Sequence, residues 1–308
     1  MKLRIVAMGV LLAAACLGQD AQGALQKAVA LAPAILYLSP DKASAKVGQI
    51  RPGMDIGVQS SSGNFVQIFS GASGWIENQG YVTLDNPQAP ELIFGAAVGY
   101  ENQAETLSGQ DEAARDASRL YLSIYSDFPA STRAAEALYR GAEIPWEVKL
   151  SEMPRRRTPE ERQFPDDSML RRVESKYPGT PWAARAAYQL IIEHFTCGDW
   201  TEKPQCVEKE IGRYRDYVGK YPSGPYSAEA AYDALYREAI AWTLYSRPGA
   251  LQNSGKAAQY KRQVAADADA LARNYPSTDW AAQAALLAFK VERGTPLEVP
   301  AATPLGGP

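Results

Sequence analysis

Histidine is almost absent from this 308-residue sequence: there is one, His194. Hydrolases that activate serine or cysteine need a histidine base oriented by a third group, so any such centre would have to be built on that residue. It sits in the apolar helical run "AAYQLIIEHF", beside a cysteine-bearing loop. The phosphate-cradling patterns GxxxxGK and GxGxxG are missing, as is the zinc-hydrolase pattern HExxH. Acidic residues are plentiful, and their pairing in space is left open. The expectation is a protein that is not an enzyme, with no catalytic residues, no metal and no cofactor.

A basic surplus is also lacking. Lys and Arg number 32 against 35 Asp and Glu, a formal charge of −3, which argues against nucleic acid as a partner. The nearest basic cluster, "PRRRTPEER" from Pro154 to Arg162, is followed at once by glutamates and reads as a solvated loop. The apolar run "IVAMGVLLAAA" follows Lys2 and Arg4. It is too short to span a bilayer and has the charge order of an export peptide. Residues 1–23 are therefore expected to be a signal peptide. Processing has two candidate sites: after "AQG", Ala21 to Gly23, or between residues 15 and 16, where "AAAC" resembles a bacterial lipobox with Cys16 as the lipidated residue. In that pattern the usual leucine position is Ala13, with Leu12 one step early. Either cut implies an exported protein, periplasmic or anchored to the outer membrane, meeting a membrane only through a lipid.

Cysteine is scarce. Three are present, and with Cys16 in the signal, Cys197 and Cys206 remain in the turn-rich loop "CGDWTEKPQC". In an oxidising compartment these two are expected to pair, closing a short loop worth about 2–3 kcal/mol. A zinc site on His194, Cys197 and Cys206 would have only Asp199 and Glu202 to complete it.

Two kinds of periodicity divide what is there. Between Ala34 and Leu84 short alternating runs, "AILYLS", "KVGQIRPG", "MDIGVQSSS", "NFVQIFS", "SGWIENQ" and "GYVTLD", are separated by Gly, Pro, Asn or Asp, as in a small β-barrel. The Ser39–Pro40 turn, Val47–Gly48, the Pro52–Gly53 turn, Gly63 to Phe65 and the Gly74–Trp75 pair, in that order, resemble a bacterial SH3 domain over residues 30–86. The first strand departs from the family, with "LYLSPDKA" where "LNVRSGPS" is usual. The resemblance implies a binding groove lined by aromatics, for which Tyr37, Phe65, Trp75 and Tyr81 are the candidates.

From "PELIFGAAVGYENQAE" onward the pattern is helical. Four copies of one sentence recur: "FPASTRAAEALY" from Phe128, "YPGTPWAARAAY" from Tyr177, "YPSGPYSAEAAY" from Tyr221 and "YPSTDWAAQAAL" from Tyr275, with prolines 49, 44 and 54 residues apart. Such spacing indicates stacked helix pairs. In each copy a helix ends at the aromatic, with Ile124, Val173, Tyr217 or Leu271 four residues earlier on the same face. Proline then stops it. Ser131, Thr180, Gly224 or Thr278 stands at the cap of the next helix, and Pro181 and Pro225 suit a first helical position. Two columns of small residues follow, Ala135, Ala184, Ala228, Ala282 and Ala137, Ala186, Ala230, Ala284, which let a neighbouring helix approach. Residues 90–292 resemble the tetratricopeptide superfamily, and more narrowly the outer-membrane assembly lipoproteins of bacteria.

The expected fold is thus multidomain: a small all-β SH3-like barrel, then an all-α helical-repeat solenoid, with residues 293–308 a disordered Pro- and Gly-rich tail. A solenoid offers a long face to a protein or peptide, and Tyr121, Arg172, Tyr214 and Arg215 are candidate contacts. Two functions follow. One is a non-catalytic envelope scaffold whose repeats hold an envelope protein while the SH3-like module binds a peptide or wall component. The other is a peptidoglycan-recognition protein with the repeats as spacer.

Overall fold

Seven antiparallel strands form one sheet in the computed structural model, which describes residues 25–106, 111–152, 166–194, 200–201 and 204–299. They are β1 (Gln26–Ala30), β2 (Ala34–Tyr37), β3 (Lys46–Ile50), β4 (Asp55–Ser62), β5 (Phe65–Phe69), β6 (Ser73–Glu77) and β7 (Tyr81–Thr83), in the order β3-β2-β6-β5-β4-β1-β7, open at β3 and β7. Alternate residues of these strands, among them Leu36, Ile56, Val66, Ile68 and Ile76, form a core on one face of the sheet. Gly74 permits the β2–β6 approach, since a Cβ there would lie 2.6 Å from the Leu36 side chain.

The β region begins earlier than residue 30. Strand β1 pairs with both β4 and β7, and Ala28, Val29 and Ala30 are all buried. Ala28 and Ala30 enter the sheet core while Val29 enters a helical core on the other side. A strand covered on both faces loses the polar–apolar alternation by which exposed strands are read.

Nine helices follow among the described residues: α1 (Ala89–Thr106), α2 (Asp111–Asp127), α3 (Ala134–Glu152), α4 (Ser168–Lys176), α5 (Pro181–His194), α6 (Pro204–Lys220), α7 (Ser227–Ser246), α8 (Ser254–Asn274) and α9 (Asp279–Glu292). The repeated sentence is the joint between α2 and α3, α4 and α5, α6 and α7, and α8 and α9. Each joint has the same hydrogen bonds. The aromatic N–H closes the first helix on the residue four back: Phe128 on Ile124, Tyr177 on Val173, Tyr221 on Tyr217 and Tyr275 on Leu271, at 2.8–3.0 Å. Those four partners are buried. The cap residue's N–H then returns to the aromatic's carbonyl, from Ser131, Thr180, Gly224 and Thr278. Thr180 and Thr278 accept from Ala183 and Ala281 N–H through their hydroxyls, at 3.2 and 3.4 Å, which satisfies donors that a helix start leaves free.

The third joint differs in detail. Helix α7 starts at Ser227, so Pro225 lies in the turn ahead of it rather than at the first helical position. The Ser227 hydroxyl donates to the carbonyls of Tyr221 and Gly224 and ties the turn that a Gly cap cannot. Of the small-residue columns, Ala137, Ala186, Ala230 and Ala284 are fully buried. In the other column Ala184 is buried, Ala135 and Ala228 are half-buried and Ala282 is exposed. Consecutive helices pack on one another along the chain, with α3 on α5 and α7 on α9 besides.

Sheet and helices share a core. Val29 and Val82 pack with Ala89, Ile93, Ala117, Leu120, Tyr121 and Ile124 of α1 and α2. The Pro52–Gly53 turn presses onto α2. Arg119 donates to the Pro52 carbonyl at 3.1 Å, Arg51 pairs with Glu112 and Asp116, and Asp116 also receives Arg119. Gly53 has φ +78°, and a Cβ there would lie 2.6 Å from Arg119 Cβ and 2.7 Å from Leu120 N.

The tail is ordered in its first part. Leu297 N–H donates to Thr243 Oγ1 at 3.2 Å and its carbonyl accepts from Arg247 at 2.9 Å. Leu297 and Val299 pack on the core around α7 to α9. Two apolar residues outweigh the local Pro and Gly content. None of the described helices is long and apolar enough to cross a membrane. The signal, Cys16, the "PRRRTPEER" stretch and residues 300–308 lie outside the described residues.

Candidate functional site

The face of the sheet opposite that core carries an aromatic cluster. Tyr37 and Trp75 are paired across β2 and β6, Gln67 faces Trp75 across β5 and β6, and Phe65 lies two residues before Gln67 on the same face. Tyr37 and Phe65 meet edge to face, ring centres 5.9 Å apart at 89°, and both are buried. Trp75 is half-buried. The sheet thus brings three of the four expected groove aromatics together. Tyr81 stands apart on β7, paired with β1, its hydroxyl donating to Asn78 at 2.7 Å. Ile35 and Phe69 share the Trp75 side and are 39% and 49% exposed. Strand alternation from Tyr37 and Gln67 was the signal for both. Two open apolar side chains beside a half-open tryptophan form a patch suited to a peptide or a flat sugar-like surface.

Among the helices, an aromatic ladder runs through the repeats. The tyrosine closing one copy packs on the residue at the sixth place of the next: Tyr139 on Trp182 at 5.6 Å, Tyr188 on Tyr226 at 4.6 Å, stacked, and Tyr232 on Trp280 at 5.2 Å. In the first copy the sixth place is Arg133, whose guanidinium lies 4.4 Å from the Phe94 ring centre. Arg185 donates to the Tyr226 hydroxyl at 3.0 Å. The sixth-place residues are all half-buried, one face on the ladder and one toward solvent. Reading each copy by itself could not reveal the pairing, because the partners lie in successive copies.

The expected repeat-face contacts are distributed otherwise. Tyr121 and Tyr214 are buried. Tyr121 donates to Glu101 at 2.5 Å, and Tyr214 lies beneath Arg237, 4.4 Å away. Both belong to the core, because each faces the adjoining helix. Arg215 is held by Glu238 at 2.5 Å and Asp267 at 2.9 Å. Arg172 is exposed.

Buried charge concentrates between α5, α6 and α7. Arg237 reaches Glu210 at 2.6 Å and Asp233 at 3.3 Å, Tyr188 donates to Asp233 at 2.9 Å, and the Trp200 indole donates to Glu210 at 3.0 Å. Trp200, in the cysteine loop, is fully buried. One guanidinium lies between two carboxylates, each of which also accepts from a neutral donor, and the network ties the helices together. Farther along, burial and the nearby Asp267 push Glu238 up to about 8 against the pull of Arg215. Burial, with Glu147 and Glu101 nearby, pushes Glu143 up to about 7 despite the Tyr139 hydroxyl bonded to it. Cys206 is disulfide-bonded. Cys197 and the His194 side chain lie outside the described residues. Among the described residues no group of three His, Cys, Asp or Glu side chains is placed to hold a metal ion.

One of the grooves on the helices combines an apolar lining with basic side chains alone. It lies between α2 and α3, about 410 Å³, with Ala114, Ile144, Pro145 and Val148 as its apolar part and Arg115, Arg119 and Lys149 around them. Gly141 brings the two helices together there, its carbonyl accepting from Ser118 at 2.7 Å. All the ionisable residues lining it are basic, in a chain of net negative charge.

No protein-family model and no curated protein matches this chain. A solved structure, a DHF58 filament, aligns with 66% of this chain and 91% of its own at 16% identity and a TM-score of 0.23, too low to bear on fold or function.

Proposed function

We propose that this protein is a non-catalytic scaffold of the bacterial envelope, with TPR-like repeats holding a protein partner and an SH3-like module binding a peptide or wall component. The observation that carries the reading is the α2–α3 groove, apolar inside and basic at its edge. It suits a partner segment bearing aliphatic and acidic side chains. The SH3-like reading draws support from the Pro52–Gly53 turn and the Gly74–Trp75 pair, whose glycines occupy places a side chain would fill. The TPR-like reading draws on four joints with one hydrogen-bond pattern. Export, with or without a lipid on Cys16, belongs to the same proposal and rests on the N-terminal sequence.

Deleting the β region would open the core shared by Val29, Val82 and α1, so surface substitutions make the better test. Arg115→Glu with Lys149→Glu is expected to abolish capture of envelope proteins and to leave sedimentation with purified peptidoglycan intact. Trp75→Ala with Phe69→Ala should do the reverse. If neither pair alters either activity, the scaffold reading fails. Hydrolysis of peptidoglycan by the purified protein, lost on His194→Ala, would replace it with an enzyme.

A further inference from the structure

Among the described residues, the α8–α9 pair is uncovered on the side where the earlier pairs are covered. In α9, Ala282, Ala285, Leu286 and Phe289 follow the spacing i, i+3, i+4, i+7 that aligns residues on one face. They are all exposed, Leu286 at 57% and Phe289 at 55%. Ala281, Ala284, Leu287 and Val291, on the opposite stripe, are buried. Helix α9 therefore has two apolar stripes and uses one. The places of Leu286 and Phe289 are held in earlier copies by Tyr139, Tyr188 and Tyr232, and by Ala142, Ile191 and Leu235. Those residues are buried, Ile191 partly so, and the three tyrosines are covered by the next copy's aromatic. A helical array that ends in water ordinarily turns a polar face outward, and the α9 face carries Leu286 and Phe289 instead.

We propose that the α8–α9 face is a two-fold interface with a second copy of this chain. Two observations select that occupant. The face carries knob and hole together: Phe289 stands beside a groove of about 660 Å³ between α8 and α9 that Ala265, Ala272 and Ala288 help to line. An isologous contact requires such self-complementarity, whereas a foreign helix needs only one half of it. The charges are self-complementary as well. Lys261, which donates to the Glu292 carbonyl at 3.0 Å, and Arg262 lie in the first half of α8 and Asp269 in its second half, along the same groove, so two copies of α8 laid antiparallel set Arg262 and Asp269 against each other. With 21 residues in α8, the two-helix face measures about 30 by 20 Å, or about 600 Å² a side, at the lower edge of specific dimers.

Light scattering on the purified protein across a dilution series tests the proposal. A mass twice that of the chain is expected at high concentration, returning to a single chain on dilution. Leu286→Glu with Phe289→Glu should weaken association by at least about 30-fold. Helical circular dichroism, and melting at a concentration where only single chains are present, should stay unchanged, since both side chains already face solvent in one copy. Arg262→Glu and Asp269→Arg should each weaken the dimer and together restore it. A single-chain mass up to about 100 µM would overturn the proposal, including the case in which another protein's helices occupy the face. A dimer that survives the double glutamate substitution would overturn it too.

Discussion

The two ends of the helical array are finished differently. At the α1–α2 end the sheet acts as a cap: Val29 and Val82 close the apolar face, and Arg51 and Arg119 share the carboxylates of Asp116 and Glu112. At the α8–α9 end Leu286 and Phe289 stay more than half exposed, with the Arg293 guanidinium 5.7 Å from the Phe289 ring centre, and a short way inward a single guanidinium, Arg215, serves both Glu238 and Asp267. The capped end balances charge and excludes water from its core. The other shares one guanidinium between two carboxylates and keeps apolar surface in water. A helix pair cannot bury both its faces alone, so the contrast shows that a β module can take the place of a neighbouring repeat. It also separates residues that hold the fold from residues left for association.

Substitutions at the two ends should differ accordingly. Ile93→Ala, in the capped core, is expected to cost about 2–5 kcal/mol, read as a fall in the denaturation midpoint. Gly53→Ala should cost about 2–4 kcal/mol, from a positive φ and from collision with α2; a melting temperature within a degree of wild type would remove the turn from the joint. Near the uncapped end, Glu238→Gln should act with a pH slope. Its carboxyl is raised from 4.5 to about 8 in the fold, so the wild type favours the protonated form and loses stability as pH rises through that window. The variant should therefore gain on the wild type in melts from about pH 5 to about pH 9, and a constant difference would contradict the assignment. Tyr232→Leu, which writes the last copy's residue into the third, removes the ring contact with Trp280 and should cost about 1–2 kcal/mol. Leu286→Ala, its counterpart at the bare end, should change single-chain stability by less than about 0.5 kcal/mol, measured by urea denaturation at a concentration where only single chains are present.

Much of this layout was legible along the chain. The shift from short alternating runs to helical spacing near residue 90, the four joints and their cap residues follow from local chemistry: a proline ends a helix and a threonine hydroxyl starts one wherever they stand. The candidate binding residues were harder to place. Tyr121 and Tyr214 read as surface contacts because a tyrosine is compatible with either environment, and only the adjoining helix decides that both are buried. Tyr81 was grouped with Tyr37, Phe65 and Trp75, but strand order sends it to the other edge of the sheet. Strand β1 was missed because burial on both faces erased its alternation.

The sequence by itself therefore determined where helices stop and start and which positions within each copy are small or aromatic. Those properties depend on residues within a few places of one another. Tertiary structure alone decided which tyrosine meets which tryptophan, which end of the array the sheet closes, and that the same position is core in three copies and bare in the fourth. Burial is set by what packs alongside, and what packs alongside is distant in the chain.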